Sequence, residues 1–200
     1  MKNKNYLQDI SEIKQMMERS SRFISLSGLS GILAGTYALI GAIVAYFFIL
    51  NKQWYKIEND EPVGWLILIA AIVLLLALGT GIVPTIRRTK KMNMKVWDRT
   101  SKRLAINLLI PLVTGGIFIV IISLKGWFVL VAPLMLLFYG MALVNASKYT
   151  LSDIRYLGIS ELVLGLLATI FLGYGLLFWA IGFGVLHIIY GTVMYYRYEK

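Results

Sequence analysis

Long apolar stretches, separated by short polar segments, fill nearly all of the 200-residue chain. A bilayer core about 30 Å thick requires about 20 apolar residues of α-helix to cross it, and a helix satisfies its backbone hydrogen bonds within one segment. The pattern therefore predicts an all-α, polytopic membrane bundle with six transmembrane helices. The predicted spans are about 23–50, 63–83, 104–124, 127–144, 156–173 and 174–194.

The polar residues 1–22 precede the transmembrane domain, which we assign to 23–200. Tyr6, Ile10 and Ile13 share one helical stripe with charged residues opposite, which predicts an N-terminal amphipathic helix lying on the membrane surface. Two interpretations remain open, a plain interfacial anchor and a docking helix for a cytoplasmic protein partner. The first apolar stretch is too long for the core of a cleavable signal peptide, so we expect it to be retained as a span.

The charge distribution predicts the orientation. The chain carries 20 Lys and Arg and a net charge of +10, yet six spans leave only Lys52, Lys56 and Lys125 on one side. Cytoplasmic segments of membrane proteins are enriched in Lys and Arg. We therefore expect both termini in the cytoplasm and a multi-pass protein of the inner (plasma) membrane.

The segment 86–103 is the most basic part of the chain. Its cations recur at helical spacing, and each cation near the surface gains about 1 kcal/mol from anionic headgroups. We predict binding to membrane lipids here and no nucleic-acid binding, because the sequence contains no reader module. The predicted headgroup contacts are Arg87, Arg88, Lys90, Lys91, Lys95, Arg99, Lys102 and Arg103.

Small residues at helical spacing predict close helix contacts, because lipid offers no hydrophobic drive for helices to associate. In the first span they recur every four residues. They indicate packing within the chain, and a homo-oligomer formed through the first span is the alternative. The predicted packing positions are Ser27, Gly31, Gly35, Gly165, Gly184 and Gly191.

The even-numbered spans resemble one another, with Tyr139 and Gly140 in the fourth corresponding to Tyr190 and Gly191 in the sixth. This correspondence suggests three tandem helical hairpins in one orientation, an arrangement found in some transporters. Pro133, in the fourth span, is expected to kink its helix.

Glu161 and His187 are ionisable residues well inside the spans. Each is 13 residues from Tyr174 at the predicted turn, so an antiparallel hairpin places both at the same depth. A charged side chain deep in a membrane costs about 2.5–3.5 kcal/mol or more and is usually paired. The pair is either a structural polar clamp between helices or a water-facing functional site that binds a proton.

Asn107 and Asn145 repeat this arrangement near the cytoplasmic end of the preceding hairpin. Asparagine commonly forms hydrogen bonds between helices, so a structural role is one interpretation. If both faced the same space as Glu161 and His187, the four residues would line a cavity open to the cytoplasm.

The sequence argues against an enzyme. It has no cysteine, no metal-binding cluster and no nucleotide-binding loop, so we expect no metal and no cofactor. The run Gly28-Leu29-Ser30-Gly31 matches the G-x-S-G of rhomboid proteases, and His187 would be the base. Rhomboids, however, place this serine in a later helix and use a second histidine, which this chain lacks.

The run MMERSSRFISLSGLSGILAGTYALIGA (16–42) resembles a stretch of uncharacterised bacterial six-helix integral membrane proteins. That resemblance implies a bacterial inner-membrane protein and supplies no catalytic residues. The hairpin layout also resembles, in architecture alone, HdeD-type acid-resistance membrane proteins.

Two classes of function follow from these observations. We favour a non-enzymatic sensor, scaffold or regulator that acts through its cytoplasmic face. The alternative is a small transporter, channel or ligand-binding membrane protein that uses Glu161 and His187. Transporters usually contain broken helices and several intramembrane charges, whereas this sequence predicts only two such charges.

Overall fold

The computed structural model describes residues 27–50, 63–91 and 97–200. The predicted amphipathic helix at 1–22 and the predicted headgroup contact Lys95 lie outside the described residues.

The described residues form six helices, which confirms the all-α prediction. A 3₁₀ turn precedes α4, and two more flank α5. The sixth helix changes from α to π geometry over Ala180–Leu186 and returns to α at His187. The helices are α1 Gly28–Leu50, α2 Val63–Lys91, α3 Arg99–Leu124, α4 Val131–Ala146, α5 Asp153–Ile170 and α6 175–198.

Five of these helices are long and apolar enough to cross a membrane, which indicates a multi-pass membrane protein. Helix α5 is the exception by composition, because it contains Asp153, Arg155 and Glu161 within 18 residues. The five candidate spans are Gly28–Phe47, Trp65–Arg87, Arg99–Leu124, Phe128–Tyr149 and Leu172–Tyr198.

The helices pack as two groups of three. In the first group, α1 lies between α2 and α6, and in the second, α4 lies between α3 and α5. Helix α6 joins the groups by packing against α4 and α5. We call the contact surface between the two groups the seam. Near the start of α6, Trp179 packs in the seam with Ala38 of α1 and Ala132 of α4.

Glycines permit the closest helix contacts. A Cβ added to Gly191 in α6 would lie 2.6 Å from the backbone nitrogen of Ile32 and 2.7 Å from the carbonyl oxygen of Gly28. In the second group, a Cβ on Gly140 of α4 would lie 2.8 Å from the carbonyl oxygen of Gly158 of α5. These distances leave no room for a side chain, so glycine is required for the observed helix separation.

The helix bounds differ from the predicted spans where polar residues extend a helix beyond its apolar part. Helix α3 begins at Arg99 rather than at about 104, because Asp98 caps it and accepts hydrogen bonds from the Ser101 backbone N–H and hydroxyl, both at 2.7 Å. Burial raises the pKa of the Asp98 carboxyl, but the hydrogen bonds from Ser101 and Thr100 outweigh it and hold the pKa below its ordinary value.

Pro133 occupies the first turn of α4 rather than its interior. Proline is tolerated in the first turn, where the backbone N–H groups have no partner within the helix. The 3₁₀ turn Phe128–Leu130 leads directly into this start, so Pro133 marks where the α geometry begins.

One end of the bundle is basic, and we call it the basic end. It contains the start of α1, the end of α2, the start of α3, the turn between α4 and α5, and the end of α6. Of the predicted headgroup contacts, Arg88 and Lys91 lie in α2, and their side chains lie outside the described part of the chain. The other five are exposed: Arg87, Lys90, Arg99, Lys102 and Arg103.

Candidate functional site

Three polar side chains meet in the seam, one from each of α4, α5 and α6. The hydroxyl of Tyr139 lies 2.7 Å from Nε2 of His187, and Nδ1 of His187 lies 3.5 Å from Oε1 of Glu161. Sequence pattern placed the last two residues at one depth, and the structure places them in direct contact. We call the three residues the seam triad.

The surrounding helices approach closely enough to enclose the triad. A Cβ on Gly182 would lie 2.5 Å from both Oε2 of Glu161 and Cδ2 of Leu136, so the missing side chain makes room for the carboxyl group. A Cβ on Gly165 of α5 would lie 2.8 Å from Cγ of Leu137, which shows the same close contact between α4 and α5. Leu136 itself is fully buried.

The hydrogen bonds of His187 define its tautomer. Nδ1 lies 3.0 Å from the carbonyl oxygen of Gly182, which only accepts hydrogen bonds, so Nδ1 carries the proton. In a neutral ring Nε2 is then the acceptor, and it receives the hydrogen bond from the Tyr139 hydroxyl. Both ring nitrogens are therefore satisfied without Glu161.

Glu161 is left without a hydrogen bond. Its residue is 0% exposed, and neither carboxyl oxygen has a partner among the described residues. An unpaired buried carboxylate costs several kcal/mol, and protonation removes this cost. If the carboxyl group ionises, the nearest donor is the Nδ1–H of His187, which would have to leave Gly182. The triad can thus exist in two hydrogen-bonding arrangements that differ by one proton.

The π segment is part of this site. In a π turn the carbonyl of residue 182 lies opposite residue 187, and here its oxygen accepts from the ring of His187. Such insertions in α-helices occur frequently at functional sites and mark places where a helix can change geometry. The π segment therefore links the hydrogen bonding of His187 to the geometry of α6.

Aromatic rings extend from the triad towards the opposite end of the bundle. The ring of Phe183 lies 6.0 Å from that of His187 and 5.0 Å from that of Tyr139, and it lies 5.3 Å from the ring of Trp179. Tyr139 also stacks on His187 at 5.4 Å. These rings fill the seam on the side of the triad that faces away from the basic end.

The structure places the predicted asparagines in a contact of their own. Nδ2 of Asn145 donates to the carbonyl oxygen of Asn107 at 3.3 Å, joining α4 to α3. Nδ2 of Asn107 donates to the carbonyl oxygen of Arg103 one turn earlier in the same helix. These hydrogen bonds join helices, and neither involves the seam triad.

The predicted packing positions also have defined contacts. A Cβ on Gly31 would lie 3.1 Å from Cα of Gly191, and one on Gly35 would lie 2.6 Å from the carbonyl oxygen of Gly184. Both pairs lie between α1 and α6. The hydroxyl of Ser27 donates to Glu199, at 3.5 Å, beside the start of α1.

Ser30 is buried and its hydroxyl has no partner among the described residues. His187 does not act on it, because its two ring nitrogens contact Tyr139 and Gly182. Within 27–50, 63–91 and 97–200, no three His, Asp or Glu side chains form a group that could hold a metal ion.

Sequence reasoning does not assign Tyr139 or Gly182 to the site. Tyr139 enters the sequence pattern only as part of a repeat, and its spacing of 48 residues from His187 carries no signal. The run Gly182-Phe183-Gly184, with two glycines inside an apolar helix, is the feature that points to an irregular segment.

Comparison with protein-family models, with curated proteins and with solved structures finds no match for this chain.

Proposed function

We propose that this protein is a non-enzymatic proton sensor of the bacterial inner membrane, and that the seam triad is its sensing element. It crosses the membrane six times, with both termini and the basic end in the cytoplasm, and it acts as a regulator through that face. The carrying observation is the fully buried carboxyl group of Glu161, which contacts His187 and has no hydrogen-bond partner among the described residues.

Physical chemistry supports a proton as the signal. Ionisation of a buried carboxyl group changes its interactions with neighbouring groups more than ionisation of an exposed one does, because water does not screen the buried charge. The neighbouring imidazole offers a donor that is already engaged elsewhere, so each protonation state of Glu161 favours a different hydrogen bond. A purely structural clamp would instead satisfy both partners in a single arrangement.

The distribution of charge supports the orientation. The exposed cations at the basic end suit the cytoplasmic leaflet, where anionic lipids attract Lys and Arg. Helix α5 carries three charges, but two of them lie in its first turn at the basic end and only Glu161 lies deeper. This placement supports α5 as the sixth span beside the five that meet the criteria of length and composition.

The proposal is tested through His187, the only histidine of the chain. Protein labelled with ¹⁵N-histidine in lipid nanodiscs gives ring-nitrogen signals from this residue alone. We expect these signals to change between about pH 5 and about pH 8. In Glu161→Gln, which mimics the protonated acid, we expect no such change.

Asp98→Asn is the matched control, because it removes a carboxylate at the start of α3 that contacts Ser101 and leaves the triad and the end of α6 intact. It should reproduce the wild-type pH dependence. The proposal is wrong if the wild-type signals stay constant over this range, or if Glu161→Gln shows the wild-type transition.

Transport is the second candidate, and the π segment favours it. Broken or irregular helices that free a backbone carbonyl are typical of ion sites in transporters. In the same lipid, reconstituted vesicles containing a pH-sensitive dye separate the two functions. If the wild-type protein conducts protons and Glu161→Gln abolishes this flux, the protein is a transporter rather than a sensor. If its flux equals that of protein-free vesicles, the result supports the sensor.

A further inference from the structure

The last residues of α6 hold the basic end of the seam closed. Nη1 of Arg197 donates to Oδ1 of Asp153 at 3.1 Å, and the hydroxyl of Tyr198 donates to Oδ2 of Asp153 at 2.6 Å. Oε1 of Glu199 accepts from the backbone N–H of Gly28 at 2.6 Å. We call these contacts the C-terminal clasp.

The clasp joins the starts of two helices to the end of a third. Asp153 lies in the first turn of α5, and Gly28 is the first residue of α1. The carboxylate of Glu199 satisfies one of the N–H groups that a helix start leaves unpaired, and its charge suits the positive end of the helix dipole. The clasp therefore fixes α1, α5 and α6 relative to one another.

The clasp and the triad belong to the same helix pair. On α5, Glu161 follows Asp153 by eight residues, and on α6, Arg197 follows His187 by ten. At 1.5 Å per residue these separations are about 12 Å and about 15 Å. A change in the separation of α5 and α6 at the triad therefore reaches the clasp through two short, continuous helical segments.

Glu161 must exchange its proton with water in order to respond to pH, and the two directions along the seam are not equivalent. Towards the opposite end, the ring of Phe183 stacks on His187 and contacts the tilted ring of Trp179 in the seam. Towards the basic end, the seam is closed by the clasp, whose Arg197 side chain is 61% exposed. The Asp153 side chain is only 10% exposed, so opening the clasp must bring water to this carboxylate as Arg197 and Tyr198 withdraw from it.

We propose that the C-terminal clasp is a gate through which the Glu161 carboxyl group exchanges its proton with water at the basic end. The clasp opens transiently while Glu161 is protonated, and its open state is stabilised once Glu161 is ionised. This inference rests on the proposed function. Ionisation draws the Nδ1–H of His187 from Gly182 towards Oε1 of Glu161, which disturbs the π segment. The buried charge also favours hydration, and the clasp is the closure that water must pass.

The charged and titratable groups around each part are defined within the described chain. Glu161 faces His187 of α6, and the ring of His187 in turn contacts the hydroxyl of Tyr139 of α4. Asp153 faces Arg197 and Tyr198 of α6. The proposed gate opens as the pH rises, because ionisation of Glu161 stabilises its open state.

The absence of cysteine from the sequence permits a single spin label at Lys200→Cys, next to Glu199. Electron paramagnetic resonance in nanodiscs then measures the ratio of mobile to immobilised label. We expect this ratio to rise about fivefold or more across the pH range in which the His187 signals change. Fivefold is the lower end of the coupling factors that are typical between two sites in a protein. Glu161→Gln should keep the label immobilised throughout, and Asp153→Asn should keep it mobile throughout.

The outcomes separate the gate from the sensor. If the His187 signals titrate but the label ratio does not change, the gate is wrong and the sensor stands. If the label becomes mobile on acidification, or if Glu161→Gln shows the wild-type change, the clasp does not follow the ionisation of Glu161 and the gate is wrong. If the His187 signals do not titrate, the sensor itself fails.

Discussion

At the scale of single residues, the protein places one carboxyl group where its ionisation is most costly. Glu161 is fully buried, and the hydrogen bonds of its neighbour His187 are directed to Tyr139 and Gly182. A buried polar group with no partner destabilises a fold, so its retention indicates a gain elsewhere. This conflict between stability and local hydrogen bonding is the reason that we assign a function to the triad.

The hydrogen bond from Tyr139 to His187 is testable by Tyr139→Phe. The ring stacking stays, but Nε2 loses its donor, and an unsatisfied buried acceptor costs about 1–3 kcal/mol. We expect the free energy of unfolding in detergent to fall by that amount. Tyr46→Phe is the control, because Tyr46 is 54% exposed, and it should change stability by less than about 0.5 kcal/mol. Equal effects would contradict the hydrogen bond between Tyr139 and His187.

At the scale of elements, α6 carries the features that connect the bundle. Its glycines contact α1, its π segment contacts the triad, and its last residues form the clasp. The remaining helices are more regular. Helix α2, for instance, buries none of the apolar residues that would cross the membrane, and its Val73 packs against Gly41 of α1.

Gly191→Ala tests the contact between α1 and α6. The added Cβ meets backbone atoms of Ile32 and Gly28, which cannot move aside as a flexible side chain can. Overpacking of this kind costs about 1–3 kcal/mol, and we expect the midpoint of thermal unfolding to fall accordingly. Gly116→Ala is the matched control, because a Cβ there meets nothing within 4 Å. A stable Gly191→Ala with unchanged unfolding would disprove the close contact.

At the scale of the whole molecule, two groups of three helices meet at one seam, which contains the triad and the contacts of Asp153 with Arg197 and Tyr198. A contact surface between two packed groups is a place where two arrangements can differ by small free energies. The ionisable group lies at this surface rather than within either group, which is why we propose that a single proton acts on the whole bundle.

The orientation of the bundle is testable with single cysteines at Lys125, in the turn after α3, and at Lys200. A membrane-impermeant maleimide added to intact cells should label Lys125→Cys, which lies on the charge-poor side, and should label Lys200→Cys only after the membrane is permeabilised. The physical reason is the excess of Lys and Arg at the basic end, because segments rich in Lys and Arg are usually retained in the cytoplasm. Labelling of Lys200→Cys in intact cells would reverse the assignment.

The sequence determined the features that depend on composition along the chain. Apolar length predicts the helices, because a bilayer core requires about 20 apolar residues, and the all-α class follows from it. The depth of Glu161 and His187 follows from counting residues to Tyr174, since the rise per residue of a helix is fixed. Even the contacts of Gly31 and Gly191 were predictable as faces, although not as partners.

Only the tertiary structure decided which faces meet. The helices are apolar nearly all round, so no contrast between a polar and an apolar face directs one side of a helix towards its neighbour, and periodicity does not encode the order of the helices. Tyr139 and Gly182 joined the triad, and Asn107 and Asn145 remained outside it, because packing of small residues and the π segment set the rotation of each helix. That rotation, unlike length or depth, depends on the shape of every neighbouring side chain.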